Sequence, residues 1–183
     1  MRIRLLVTTG VTLLSGLLGA VTAVTPAHAA TQFTTIINSN SNLVLAADSR
    51  NVGAVVRQQH RGGTQPYLQE WYAENIEGHI RFRTRRSIVV DGRFAPGCLA
   101  LQRTVPADQQ QAGEVLVVRV CDGGFSQQWK KVPDTASDVR LINRRSGMWI
   151  DIDNTRLLQP GAVAIQNNVS EFSQRFRFGV VSS

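Results

Sequence analysis

The sequence of 183 residues has few of the side chains that metal and redox sites use. It contains only two cysteines and three histidines, which excludes a four-ligand structural zinc site and a disulfide-dense small scaffold. It also has no HExxH, GxSxG or GxxxxGK motif and no GxGxxG after a strand, the common signatures of zinc proteases, serine hydrolases and nucleotide-binding enzymes. We therefore expect no metal, no cofactor and no enzymatic activity. Glycosidase chemistry through Asp151 and Asp153, two residues apart, is the alternative.

Lysine is nearly absent as well. Lys130 and Lys131 are the only lysines, so arginine supplies most of the 20 basic residues, and 13 acidic residues leave a formal net charge of +7. Hydrophobic residues make up 43% of the chain and charged residues 18%, which is the composition of one folded domain.

One long apolar run stands at the amino end of the chain. Two arginines precede an uncharged stretch at 5–24, and Ala27-His28-Ala29 places small side chains where a signal peptidase reads them. We predict that residues 1–29 are a removable secretory signal and that residues 30–183 form a secreted domain with no membrane contact. The alternative is an uncleaved membrane anchor, since about 20 apolar residues can span a bilayer.

The rest of the chain repeats itself. A triplet of Gln, any residue and a large aromatic residue occurs three times, as Gln69-Glu70-Trp71, Gln127-Gln128-Trp129 and Gln174-Arg175-Phe176. Each triplet follows a short apolar segment, then a glycine and a second apolar segment. This self-similarity predicts three similar units, at about 31–78, 79–137 and 138–183.

Each unit also opens on a short run with the composition of a β-strand, at 33–38, 79–83 and 139–143. Clusters of Asn, Ser, Gly and Asp separate the runs, which is typical of short strands joined by turns. No segment keeps a 3.6-residue apolar period over the length of a helix. The fold is therefore predicted to be all-β.

These features together resemble the ricin B-chain type of β-trefoil lectin domain, the QxW repeat family. Besides the triplets, the stretch 146–152 is similar to the family's SGxCLDV strand, and Cys98 and Cys121 fall where family repeats carry a disulfide. The resemblance implies a β-trefoil of three four-stranded repeats related by a pseudo-threefold axis, a closed barrel capped by hairpins. It also implies a secreted carbohydrate-binding module. An oxidising compartment lets Cys98 and Cys121 pair; two buried free thiols are the alternative.

The triplets are expected to be structural. Alternation along a strand places the Gln and the aromatic residue on the same face. We therefore predict that Trp71, Trp129 and Phe176 fill a shared core while the three glutamines bond to neighbouring backbone.

Sugar-binding members of the family use an Asp in the apolar strand, an aromatic residue about 15 residues later, and an Asn before the triplet Gln. A ring matches the C–H face of a sugar, and a carboxylate accepts its hydroxyl hydrogen bonds. The two degraded repeats carry other residues at these positions: Ala46, Gln59 and Leu68 in the first, and Ala100, Arg119 and Ser126 in the second.

The third repeat keeps the acid. Asp151 is accompanied by Asn167 at the stacking position, by Asn168 beside it and by Gln174 of the triplet. The resemblance therefore implies that these four residues form the best remaining carbohydrate site, for a glycan or polysaccharide. A solvated or turn-capping carboxylate is the alternative reading of Asp151.

Arginines in the second repeat suggest a different partner. Arg81, Arg83 and Arg85 alternate with Ile80, Phe82 and Thr84 in sequence, so a strand would present a row of guanidinium groups on one face, with Arg86 next to it. Such a row suits the oxygens of an anionic polymer or a protein carboxylate; an ordinary solvated face is the alternative. Because no aromatic residues are interleaved for base stacking, nucleic acid is not expected as a partner. An insertion of about nine residues follows this row.

Overall fold

A computed structural model describes residues 32–103 and 105–181 of the chain. The predicted signal at 1–29 lies outside the described residues. Short strands make up the described part, and the connecting turns include five single-turn 3-10 helices. The strands are β1 Phe33–Asn38, β2 Val44–Ala47, β3 Val56–Gln59, β4 Trp71–Ile76, β5 His79–Thr84, β6 Ile88–Val90, β7 Arg93–Ala95, β8 Gly97–Leu101, β9 Leu116–Val120, β10 Trp129–Pro133, β11 Val139–Asn143, β12 Trp149–Ile152, β13 Ala164–Asn167 and β14 Phe176–Val181. The 3-10 helices are Pro66–Gln69, Ala107–Gln109, Phe125–Gln127, Asn154–Arg156 and Phe172–Gln174.

Six of the strands close into a barrel. Three antiparallel pairs, β4 with β5, β10 with β11, and β1 with β14, form its walls. Single contacts join the walls in a ring: β1 meets β4 at Thr34 and Trp71, β5 meets β10, and β11 meets β14. Closure leaves the barrel without an exposed sheet edge.

Three hairpins cap one end of the barrel: β2 with β3, β8 with β9, and β12 with β13. Each hairpin touches the other two through an isolated bridge, at Val55 and Val117, at Arg57 and Val163, and at Val115 and Ile165. The three hairpins therefore form a closed triangle. Barrel and cap together are a β-trefoil, which confirms the predicted all-β fold and its three four-stranded repeats.

The second repeat carries an additional element. Between β5 and β8, at the insertion indicated by the sequence, β6 and β7 pair with each other in a separate two-stranded sheet. Asp91 and Gly92 make its turn with φ of 47° and 75°, the left-handed backbone that tight hairpin turns require. Below we call residues 88–95 the inserted hairpin.

The core lies on the barrel axis and is shared by all three repeats. Trp71, Trp129 and Phe176 are fully buried in one hydrophobic cluster. The indole N–H groups of Trp71 and Trp129 donate to the carbonyl oxygens of Leu45 and Leu99 at 3.1 and 3.4 Å. Each tryptophan thus ties a barrel strand to the capping hairpin of its own repeat.

A disulfide fixes the cap of the second repeat. Cys98 on β8 is bonded to Cys121, which follows β9, with 5.1 Å between the two Cα atoms. The bond closes a loop of 23 residues. The pairing implied by the resemblance is therefore present, and the alternative of two free thiols is wrong.

Candidate functional site

The triplet glutamines hold the loop that enters each barrel strand. In the first repeat, Gln69 donates to His60 O at 2.7 Å and accepts from the backbone N–H of Gly62 at 2.9 Å. In the second, Gln127 donates to Val120 O at 2.7 Å and accepts from Asp122 N at 3.1 Å. These two side chains use both ends of their amide on neighbouring backbone.

The third glutamine is bonded differently. Gln174 donates to Val169 O, as its counterparts donate to backbone, but also to Asp151 Oδ2 at 3.1 Å. Its own Oε1 is buried and has no hydrogen-bond partner among the described residues. The third repeat therefore replaces a backbone contact with a carboxylate contact and leaves one buried acceptor open.

Three of the four predicted carbohydrate-site residues meet at Asp151. Its Oδ2 accepts from Asn167 Nδ2 at 2.8 Å as well as from Gln174, and its Oδ1 accepts from the backbone N–H of Ile152 at 2.7 Å. Asn168 lies beside them, exposed, and makes none of these bonds. The polar cluster of Asp151, Asn167 and Gln174 is called the third-repeat cluster below.

The carboxylate of this cluster is closed to solvent. Asp151 is only 1% exposed, and buried carboxylates are stable when hydrogen bonds satisfy their oxygens, as here. The alternative of a solvated or turn-capping Asp151 is therefore wrong; the turn-capping acid is Asp153, whose Oδ1 accepts from Thr155 N at 3.1 Å. Asp151 orients the two amide side chains, and Asn167 is partly exposed.

An aromatic residue that the carried-over pattern does not include lies beside the cluster. Trp149 pairs with Asn167 across β12 and β13, and it shares the face of β12 that carries Asp151 because alternate side chains point the same way. The indole is partly exposed, and the Arg140 guanidinium lies 5.6 Å from its centroid. The family pattern places the aromatic residue after the Asp. Strand alternation alone indicates that Trp149, two residues before Asp151, lies on the same face as the acid.

The first repeat keeps a cleft although it lacks the family's polar residues. A cavity of about 290 Å³ is lined by residues that include Ala46, Gln59 and Leu68, the three positions at which the pattern fails. Asp48, also on its wall, is paired with Arg57 at 2.7 Å. The cleft lies where family members bind sugar, but it has neither the unpaired carboxylate nor the aromatic ring that they use there.

The predicted arginine row exists, and acids compensate much of it. Arg81 and Arg83 on β5 both donate to Glu74 of β4, at 2.9 and 2.7 Å. Arg85, which follows β5, donates to Glu70 at 2.5 Å. Burial alone would raise the pKa of Glu74, but hydrogen bonds and charge from Arg83 and Arg81 outweigh it and lower that pKa below its usual value.

Aromatic rings support the same arginines. The guanidinium of Arg83 lies 4.5 Å from the ring centroid of Tyr72, that of Arg85 lies 4.4 Å from Phe33, and that of Arg86 lies 4.5 Å from Tyr67. Stacking of this kind fixes a planar guanidinium while its edge stays free to donate. We call Arg81, Arg83, Arg85 and Arg86 the arginine face.

Within residues 32–103 and 105–181, no three His, Cys, Asp or Glu side chains cluster as metal ligands would. In the same part of the chain, no helix has the length and apolar character needed to cross a membrane.

The closed barrel, the three capping hairpins and the triplets define a β-trefoil domain. Residues 97–167 match the family model described as "Ricin-type beta-trefoil lectin domain-like". This match confirms the resemblance to the ricin B-chain type of β-trefoil lectin domain. A comparison with curated proteins found no significant match.

Solved structures share the fold at low identity. The designed threefold-symmetric protein ThreeFoil is 23% identical, with a TM-score of 0.65 over 80% of this chain and 96% of that chain. A ricin B-like lectin of Macrolepiota procera, solved in complex with lactose, is 16% identical, with a TM-score of 0.61 over 81% of this chain and 94% of that chain. An exo-β-1,3-galactanase of Clostridium thermocellum is 21% identical, with a TM-score of 0.67 over 82% of this chain but only 30% of that chain.

Proposed function

We propose that the protein is a secreted, non-catalytic carbohydrate-binding module whose best remaining sugar site is the third-repeat cluster. The observation that carries the proposal is the pair of hydrogen bonds to Asp151 Oδ2, from Asn167 and from Gln174, which assembles three residues from β12, β13 and the last 3-10 helix. The lactose complex of the Macrolepiota procera lectin supports the same ligand class.

In this site Asp151 positions the side-chain amides of Asn167 and Gln174. The contacts with the sugar come from neighbouring side chains. Asn167 is partly exposed, with its amide bonded to Asp151 and to the backbone N–H of Val169, Asn168 stands exposed beside it, and Trp149 on the same face supplies apolar surface for a pyranose ring. The two degraded repeats lack such a cluster, so we expect one weak site rather than three.

Asp151→Asn is expected to weaken glycan binding about tenfold or more, because a hydrogen bond to a charged group contributes roughly 1.5–3 kcal/mol and the amides of Asn167 and Gln174 lose their charged acceptor. Asn167→Ala should weaken binding similarly while leaving Asp151 in place. The measurement is the signal of each purified variant on a glycan array at near-physiological salt, with denaturation curves to verify folding.

The matched control is Asp153→Asn, two residues further along, where the carboxylate caps a turn and touches none of the cluster. It should keep wild-type binding. Unchanged array signals for Asp151→Asn and Asn167→Ala, with both variants folded, would refute the third-repeat site.

A second candidate function is binding of an anionic polymer or a protein through the arginine face. The observation in its favour is that three guanidinium groups lie over aromatic rings, within 4.4–4.5 Å of the ring centroids. Glu70 and Glu74 lower the net charge there, since they pair with three of the four arginines. We therefore expect salt-sensitive binding of modest strength.

The triple variant Arg83→Ala, Arg85→Ala, Arg86→Ala is expected to lose most retention on a heparin column, whereas Asp151→Asn keeps it. A second triple variant, with alanine at Arg103, Arg156 and Arg177, removes the same formal charge elsewhere and should elute near wild type. Equal losses of retention in the two triple variants would mean that heparin binding depends on the net charge of the protein and not on the arginine face.

A further inference from the structure

The inserted hairpin is anchored to the core and to the first repeat. Ile88, at the start of β6, is 1% exposed and belongs to the shared hydrophobic cluster. Val89 N donates to Arg50 O at 2.6 Å, and Val89 O accepts from Val52 N at 3.1 Å. The Arg50 guanidinium also donates to Ser87 O, at 2.7 and 2.9 Å. These bonds fix the position of the hairpin through its first strand, β6.

The second strand of the hairpin, β7, has an open edge. Val89 uses both its N–H and its C=O on the 50–53 loop, and it lies opposite Phe94 in the ladder of β6 and β7. Opposite residues of an antiparallel ladder exchange either both hydrogen bonds or neither, so the N–H and C=O of Phe94 point away from β6. Within 32–103 and 105–181 no hydrogen bond to either group is found. Unpaired groups of this kind on an edge strand can pair with another chain.

Apolar side chains surround this open edge. A cavity of about 560 Å³ lies between the hairpin and β9, and it is lined by Val90, Asp91, Arg93, Phe94, Ala95 and Val120. Phe94 is 71% exposed and Val120 is 37% exposed. Isolated exposed apolar residues are common on protein surfaces, whereas adjoining ones mark sites of interaction. We call Arg50, Arg93, Phe94 and Val120 the hairpin surface.

The hairpin surface carries positive charge. The Arg50 guanidinium lies 5.3 Å from the ring centroid of Phe94. Among the described residues neither Arg50 nor Arg93 forms an ion pair. Asp91, in the turn of the hairpin, is the one acid that lines the cavity. Two cations against one anion favour a partner with acidic groups.

Backbone, apolar and charged groups together indicate a protein segment as the partner. The N–H and C=O of an edge strand pair with the main chain of an added strand. Alternate side chains of that strand lie on one face, so the same segment can bring apolar groups to Phe94 and Val120. A polyanion would meet the arginines but would leave the ring and the backbone groups without partners.

We propose that the hairpin surface binds an extended segment of a partner protein that is both acidic and apolar. The segment lies along β7 and exchanges two hydrogen bonds with Phe94. The open edge ends at Pro96, whose C=O already accepts from Cys121 N at 3.0 Å. Side chains therefore supply most of the contact, with apolar groups on Phe94 and Val120 and a carboxylate on Arg50 or Arg93. The proposal is independent of the third-repeat cluster and of the arginine face.

The test begins with a phage-displayed library of random peptides, selected on the purified wild-type protein. Peptides that combine Asp or Glu with Leu, Val or Phe are expected to be enriched. The affinities of the enriched peptides are then measured by fluorescence polarisation. Phe94→Ala and Arg93→Glu are each expected to weaken binding about tenfold, because a few anchoring residues carry most of the binding energy of an interface.

Two matched variants serve as controls. Phe172→Ala removes a ring that is equally exposed, at 70%, and that also has an arginine over it. Arg156→Glu makes the same charge change as Arg93→Glu at another exposed arginine. Both controls should bind the peptides as wild type does. In addition, hydrogen exchange measured by NMR should slow at the Phe94 amide when peptide is bound, because strand addition gives that N–H an acceptor.

Several results would overturn the proposal. They are the absence of acidic and apolar sequences among the enriched peptides, equal losses in a variant and its matched control, and unchanged exchange at the Phe94 amide. A dimer in size-exclusion chromatography that dissociates in Phe94→Ala would assign the hairpin surface to a second copy of the chain. Heparin that shifts the amides of 93–95 in NMR spectra would assign it to an anionic polymer.

Discussion

Trp129→Ala is expected to lower the free energy of unfolding by about 3–5 kcal/mol, the usual cost of truncating a buried aromatic residue. Trp129 is fully buried in the hydrophobic cluster shared by the three repeats, and its indole N–H donates to Leu99 O. The variant therefore loses packing shared by three repeats and leaves a buried carbonyl without its donor. Urea denaturation followed by circular dichroism measures the change.

Trp149→Ala serves as the matched control, because Trp149 is also a strand tryptophan but is only partly buried. Its cost should be clearly smaller than that of Trp129→Ala. Equal costs at the two positions would contradict the assignment of the triplet aromatics as the common core.

Removal of the disulfide is expected to have the second largest effect on stability. A double variant, Cys98→Ala with Cys121→Ala, opens a loop of 23 residues, and the chain-entropy relation gives roughly 3 kcal/mol for a loop of that size. The midpoint of urea unfolding should fall accordingly, while the far-ultraviolet spectrum of the folded state stays the same.

Reduction of the wild-type protein provides the comparison. Wild type unfolded in the presence of a reductant should approach the stability of the double variant, and the variant itself should not respond to the reductant. A double variant as stable as oxidised wild type would show that the closed loop does not limit the freedom of the unfolded chain.

The repeated core was predictable because its signals are local. The triplets place a glutamine and an aromatic residue on one face of a strand, and side-chain alternation alone sends Trp71, Trp129 and Phe176 inward. The same reasoning could have found the pairing of Glu74 with Arg81. Glu77-Gly78 is a two-residue turn, and a hairpin around it sets these two residues opposite each other.

The closed state of Asp151 was not predictable in the same way. Asp151 is covered by Gln174, which lies 23 residues downstream in another element and donates to its carboxylate. Gln174 also lacks the bond from a backbone N–H that Gln69 and Gln127 accept. The position of the inserted hairpin also depends on distant contacts. The sequence indicates an insertion of about nine residues, but its direction is set by hydrogen bonds to the 50–53 loop, which no local pattern encodes.

The pairing of β1 with β14 has a consequence for biosynthesis. These are the first and last strands of the described chain, and they pair along their whole length, from Phe33 with Val181 to Asn38 with Phe176. While the nascent polypeptide is still attached to the ribosome, β1 has no partner in its final register along that edge. The native ring therefore forms only after β14 has been synthesised, and truncation of β14 would leave β1 and β11 with unpaired edges that can pair with other chains.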